Sequence, residues 1–206
     1  MHRLAFHLGL GIIIAAAPAT AAQKAHEHGH AALNIAIEDD GIEMELISPG
    51  ADIVGFEHAP DTDADRAAVQ DAIAKFQKGL FTLPEAAGCE LEAVGIYSSL
   101  LPDGKPIHSG DHHHDEDHKD DHGHGDKDDD HKHDDHKDDH AGHDDEEHAE
   151  FRVHFHYECN DTAALTGLST SYFAEFPNAQ ELDAAALTAN GQVAAELTAG
   201  DASLKF

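Results

Sequence analysis

Three histidines at alternate positions, His26, His28 and His30, open the stretch "KAHEHGHAALNIAIEDDGIEMEL", and a second pair, His154 and His156, sits in "FRVHFHYEC". Neutral imidazole is the commonest side-chain ligand for borderline metals, and it loses or gains a proton near pH 6.5. On an extended chain, alternate residues share a face with about 7 Å between neighbouring Cβ atoms. Two rings close on one ion across that span. The first and third histidines of the triplet are twice as far apart, so three ligands to one ion require a bend, which Gly29 permits. The competing use of either row is a solvated polar face. His58 in "GFEHAP" is a further candidate, with Glu27 and Glu57 weaker ones.

A different kind of signal lies between His108 and His148, where 13 of the 21 histidines are interspersed with 18 acids and no large apolar residue follows Ile107. The candidate ligands there are His112, His113, His114, His118, His122, His124, His131, His133, His136, His140, His143 and His148. Such a segment has too little apolar surface to offset the entropy of ordering, so its composition predicts disorder without metal and a coil reach of roughly 40 Å. A merely solubilising linker would use Glu, Ser and Lys. A pH sensor is an alternative, because the imidazoles charge together as the pH falls below about 6.5.

Imidazole with carboxylate suits zinc and leaves room for Cu(II), Ni(II) or Co(II). Calcium and magnesium want oxygen ligands, and the EF-hand pattern is absent. The net charge of −30, with 12 basic against 42 acidic residues, favours cations over nucleic acid or an anionic membrane surface. No HExxH, GxSxG or phosphate loop occurs, so the reading is of a binding protein and not an enzyme.

These ligands need elements to hold them. Residues 1–22 read as a signal peptide, "MHRL" leading into an apolar run too short to span a bilayer and then a small-residue cleavage site. The mature chain is therefore expected to be exported and soluble, with no membrane span. Roughly 185 residues remain, enough for one domain built from 23–107 and 149–206, with 108–148 as the metal-collecting loop. "HAALNIAIEDDGIEMELISPG" reads as a hairpin turning at Asp40-Gly41, which pairs Ile37 with Met44 and Ile35 with Leu46. Val69, Ile73, Phe76 and Leu80 recur at helical spacing and predict a helix from about Asp63 to Leu80. "CELEAVGIYSS" and "EFRVHFHYEC" read as antiparallel strands with Cys89 opposite Cys159, a disulfide in an oxidising compartment. That register sets Leu91 against Tyr157, Ala93 against Phe155 and Tyr97 against Phe151. It also places Glu92 across from His156, as a carboxylate ligand or a partner of the imidazole. "LSTSYFAEF" reads as a strand, "LDAAALTANGQVAAELT" as a hairpin at Asn190-Gly191, and "SLKF" as a last strand. The fold class is α+β: a mostly antiparallel sheet, one main helix, a His/Asp-rich insertion at a hairpin tip and a C-terminal hairpin.

Taken in order, "HEHGHAALNIAIE", "PGADIVGFEHAP", the His/Asp-rich insertion, "FRVHFHYEC" and "FAEFPNAQELDAAAL" resemble the zinc-regulated periplasmic zinc-binding proteins, over nearly all the mature chain. The resemblance implies a periplasmic protein that binds zinc and assists its uptake beside a zinc ABC importer and its solute-binding protein. By its motifs it implicates His26, His28, His30, His58, His154 and His156, without saying which share an ion. A buffer or detoxification protein, and a metal-sensing interaction module, are the alternative functions the residues leave open.

Overall fold

The computed structural model describes residues 27–110 and 149–206. Strands β1 (His30–Ile37) and β2 (Gly41–Pro49) form the first hairpin, followed by a one-turn helix α1 (Gly50–Ile53) and the main helix α2 (Asp63–Gln77). The chain continues through β3 (Phe81–Thr82), β4 (Cys89–Tyr97), β5 (Ile107–Ser109) and β6 (Glu150–Cys159). It ends with β7 (Gly167–Thr170), α3 (Tyr172–Glu175), β8 (Glu181–Thr188), β9 (Gly191–Thr198) and β10 (Ser203–Lys205). Seven strands make one sheet in the order β5-β4-β6-β2-β1-β8-β9, and β10-β7-β3 make a second. Every pairing is antiparallel except β1 with β8. The signal peptide, His26 and the insertion histidines from His112 to His148 lie outside the described residues.

Alternation decides the faces of the large sheet. Leu33 and Ile35, Ile42, Met44 and Leu46, and Val153 and Phe155 are all buried on one side. Helix α2 lays Val69, Ala72, Ile73 and Phe76 against that side, with the Phe76 ring 5.8 Å from Phe151 and 5.1 Å from Phe176. Phe81 of the small sheet meets Phe155 edge-on at 5.2 Å. Full burial of each such side chain contributes about 1.5–3 kcal/mol. The helix begins where Thr62 accepts from the Asp65 N–H and the Asp65 carboxylate accepts from the Thr62 N–H, a reciprocal cap. Those hydrogen bonds hold the Asp65 carboxyl below its ordinary range. At the other end the helix stops at Gln77 rather than Leu80, and Leu80 is buried from the turn that follows.

Several registers differ from the sequence expectations. The first hairpin pairs Ile35 with Met44, Leu33 with Leu46 and Ile37 with Ile42, so Asp39 and Asp40 turn and Gly41 begins the returning strand. The same side chains face the core, because the shift is two residues. Glycine at 41 answers to β6: a Cβ there would run into the Tyr157 carbonyl oxygen. The C-terminal hairpin turns one residue early as well, at Ala189-Asn190, with Thr188 opposite Gly191. "LSTSYFAEF" is a strand only as far as Thr170. It then turns helical, which buries Tyr172 and Phe173, with Phe176 buried just beyond. Tyr172 reaches Ser48 at 2.8 Å, a hydrogen bond inside the core, and burial pushes its hydroxyl pKa well above the usual range.

Cys89 lies opposite Cys159 and the two are joined. Two residues on, the pairing slips at a β-bulge between Leu91 and Ala93. Leu91 faces Tyr157 as expected, but Ala93 then pairs with His156, Val94 with Phe155 and Tyr97 with Arg152. Glu92 is the exposed extra residue of the bulge, opposing His156 together with Ala93, and Tyr97 stands on the outer side of the sheet. His108, expected at the start of the insertion, is the middle residue of β5, paired with Gly95.

Candidate metal-binding face

The outer face of the large sheet carries the histidines. Strand pairing sets His156 beside Glu43 and His154 beside Glu45, with Asn34 next to Glu45 on the far side. His156 Nδ1 lies 2.6 Å from Glu43 Oε1, and His154 Nε2 lies 3.6 Å from Glu45 Oε1. A carboxylate only accepts, so in the neutral ring the Nδ1 of His156 carries the proton and donates it. The lone pair of Nε2 is then left for a metal. Arg152 shares this row and donates to Glu45 at 2.9 Å and to Glu150 at 3.2 Å, contacts that raise its already high pKa. A shallow groove of about 350 Å³ runs beside them, with Asn34, Ala36, Glu43, Glu45, His154, Ala185 and Leu187 in its walls.

The N-terminal histidines are held differently. The strand begins at His30, and residues 28 and 29 form a turn in which Gly29 has φ +89°. His28 and His30 therefore part company: His28 Nε2 meets Glu57 at 3.1 Å, and His30 Nδ1 meets Glu181 at 3.3 Å. Between them the Gly29 N–H donates to both oxygens of Asp52, at 2.8 and 3.0 Å. Asp52 is buried at 2% exposure on α1. Burial pushes its carboxyl pKa up, against the opposing pull of the Gly29 hydrogen bond and of nearby His28 and His30. A buried anion thus sits under the histidine turn and favours cations above it.

Among the described residues, one group of three donors lies mutually within 4.8 Å, namely Glu181, Asp183 and Glu196 on β8 and β9. His30 approaches it through Glu181. Oxygen donors of this kind suit hard cations, and exposed acids crowd in this way without any ion. His58 is placed by local contacts, its ring stacked on Phe56 at 4.8 Å and its Nδ1 facing the Ala59 carbonyl at 2.8 Å.

The sequence profile of the ZrgA family, described as zinc uptake proteins, matches residues 25–128 and 122–206. The chain belongs to the ZrgA family. The two matched stretches overlap inside the His/Asp-rich insertion, so the family's pattern runs through the elements on both sides of it. A comparison with curated proteins gives no match. The family's description as zinc uptake proteins points to zinc as the metal of interest. No helix among the described residues is long and apolar enough to cross a membrane.

Sequence reasoning named the histidines of this ZrgA family chain and, as a weaker candidate, Glu57, but not Glu43 or Glu45. Glu43 and Glu45 alternate with the buried Ile42, Met44 and Leu46, so their outward position was readable. That β6 would lie beside them was not, because the two strands are about a hundred residues apart in sequence and nothing local links them. Asp52 and Glu181 were missed because they reach the histidines from other elements.

Proposed function

We propose that this protein captures Zn(II) in the periplasm through the histidines of its sheet face and passes it towards uptake, feeding a zinc ABC importer or its solute-binding protein. The observation that carries the proposal is the pairing of His28, His30, His154 and His156 each with a carboxylate, within a family of zinc uptake proteins. Such partners orient an imidazole and raise its basicity towards a metal. The ordered ligands would be His26, His28, His30, His58, His154 and His156, with the insertion histidines as a higher-capacity collector. The insertion leaves the fold after β5 and returns at β6, the strand that bears His154 and His156. Ligands tethered so close act at about millimolar effective concentration, which favours exchange from collector to face. Zinc displaces protons from histidine, so retention falls as the pH drops below about 6.

Cells lacking the protein should take up less zinc when zinc is limiting, and uptake unchanged by the deletion overturns the role. In chelator competition at pH 7.5, the protein with 111–148 replaced by a Gly/Ser linker, which leaves β5 intact, should still bind zinc tightly. Loss of all tight binding with the insertion would assign it there instead.

A further inference from the structure

The large sheet ends differently at its two edges. Strand β5 is three residues long, whereas β9 runs for eight, from Gly191 to Thr198, and pairs with β8 alone. On an antiparallel strand, alternate residues turn both backbone polar groups to the same side. The Thr198 N–H donates to the Asp201 carbonyl at 3.1 Å, and the Thr198 carbonyl accepts from the Asp201 N–H at 3.1 Å, so Thr198 points away from β8. Its cross-strand neighbour Glu181 turns the other way, its N–H held by the Gly29 carbonyl at 2.8 Å. By alternation Glu196, Ala194 and Gln192 also present N–H and C=O outward, and no backbone partner meets them among the described residues. Exposed edges are ordinarily guarded by Pro, Lys or a bulge. "GQVAAELT" has neither residue, and its register with β8 runs without a shift.

This edge is complementary to an inverted copy of itself. With Ala194 opposite the partner's Ala194, Gln192 falls opposite the partner's Glu196 and Val193 opposite the partner's Ala195. Each of the last two pairs occurs twice. On the outer face an amide meets a carboxylate, and on the inner face the half-buried Val193 covers an exposed alanine. The outward residues make three pairs that exchange two hydrogen bonds apiece, about six in all. Neighbouring registers fit less well. Centring on Glu196 sets two carboxylates against each other, and centring on Ala195 draws on Thr198, which Asp201 already holds. Glu181, Asp183 and Glu196 crowd within 4.8 Å of one another at one end of the strand pair. In the register centred on Ala194 the two copies of Glu196 stand about 14 Å apart, beyond the screening length of roughly 8 Å at physiological salt.

From this edge we infer that β9 is the docking surface for a second copy of this chain, joined strand to strand about a twofold axis through Ala194. A basic strand from another protein would find one charge, Glu196, among the three outward positions, whereas a second copy matches all three. The axis stands perpendicular to the sheet, so the outer faces of both copies lie on the same side. Their histidine rows then belong to one continuous sheet surface. The pairing itself needs no metal and stands apart from the zinc-binding reading.

Sedimentation equilibrium of the mature protein tests this, run in EDTA so that metal does not bridge copies through the histidine-rich insertion. The mass should rise to twice that of one chain as the protein concentration is raised through the micromolar range. Ala194→Pro removes an N–H that points away from β8, leaves the β8–β9 ladder intact and should give a monomer. Gln192→Glu sets like charges opposite each other twice and should weaken the dimer about tenfold, and Gln192→Lys should tighten it by a similar factor. Gln192 is exposed, so these two variants keep the fold and decide the matter even if Ala194→Pro disturbs it. A protein that stays at the mass of one chain throughout overturns the self-pairing and leaves the edge to a strand of another protein. A dimer that survives Ala194→Pro, or whose affinity is the same with Glu and Lys at 192, is joined elsewhere and overturns it as well.

Discussion

The two histidine groups of the sheet face are built on opposite principles. His154 and His156 stand on a central strand, and their carboxylates come from the next strand by register alone. His28 and His30 straddle a turn, clamped by the Gly29 N–H on a buried carboxylate from a different element and by the Gly29 carbonyl, which accepts from the Gln180 and Glu181 N–H groups. A strand pair is fixed by many hydrogen bonds and resists any single change. A clamped turn concentrates its geometry in Asp52. The first group should therefore be robust in position and limited in reach, the second adjustable and fragile.

The largest effect should come from removing the covalent tie beside the β6 group. Closing a loop of 70 residues contributes about 4 kcal/mol in the chain-entropy treatment. Cys89→Ser with Cys159→Ser should lower the unfolding free energy in urea by about that amount. If register alone holds His154 and His156, zinc affinity there should change little while the protein stays folded. A large loss of affinity in the folded variant would show that the bridge, too, positions the row.

Asp52→Ala comes next. It leaves the Gly29 N–H without its acceptor at a buried position and should cost about 1–3 kcal/mol in urea denaturation. Zinc binding at His28 and His30 should weaken while binding at His154 and His156 is unchanged. Asp52→Asn keeps an acceptor and removes the charge, so it separates geometry from electrostatics. Because burial raises the Asp52 pKa in the fold, the folded chain holds that proton more tightly than the unfolded one. Stability from this group therefore declines as pH rises from the ordinary carboxylate range through the folded value, and Asp52→Asn should abolish the decline. Equal pH profiles for the two proteins would contradict it.

Glu43→Gln should weaken zinc binding at His156 by about tenfold, the low end for losing a carboxylate that orients a ligand. Its effect on folding should be within about 1 kcal/mol, as for an exposed ion pair. A stability loss as large as that of Asp52→Ala would erase the contrast between the two groups. The smallest effect serves as the control: Thr62→Ala should cost about 1 kcal/mol through the α2 cap and alter neither histidine group. The cap's Asp65 has a lowered pKa, so what it adds is present above the ordinary carboxylate value and disappears as pH falls through the folded one.

What the sequence could and could not disclose follows the same division. Alternation of period two named the buried faces of β1, β2 and β6, because one misplaced residue there would expose the whole set. It could not choose between registers that differ by two, so the first hairpin's turn was settled by the approach of β6 to Gly41. The cysteines anchored one end of the β4–β6 pairing correctly. The bulge was hidden because "AVGI" is apolar on both phases and fits either register. Tyr97 was misplaced by that slip, which turns it outward. "YFAEF" is too short for its period to separate strand from helix. The histidines were visible by type and count, and Glu57 as a weaker candidate, whereas Glu43, Glu45 and Glu181 belong to distant strands and emerge only with the topology.

The disulfide has a consequence for cleavage. Cys89 precedes the insertion and Cys159 follows it, and their strands pair along nearly their whole length. A peptidase that cuts between 110 and 149 leaves two fragments joined by a covalent bond and a shared sheet. Nicked protein should migrate as one species without reductant and as two with it. The fold can thus lose the continuity of the chain between β5 and β6 and still keep both flanks of the insertion in one molecule.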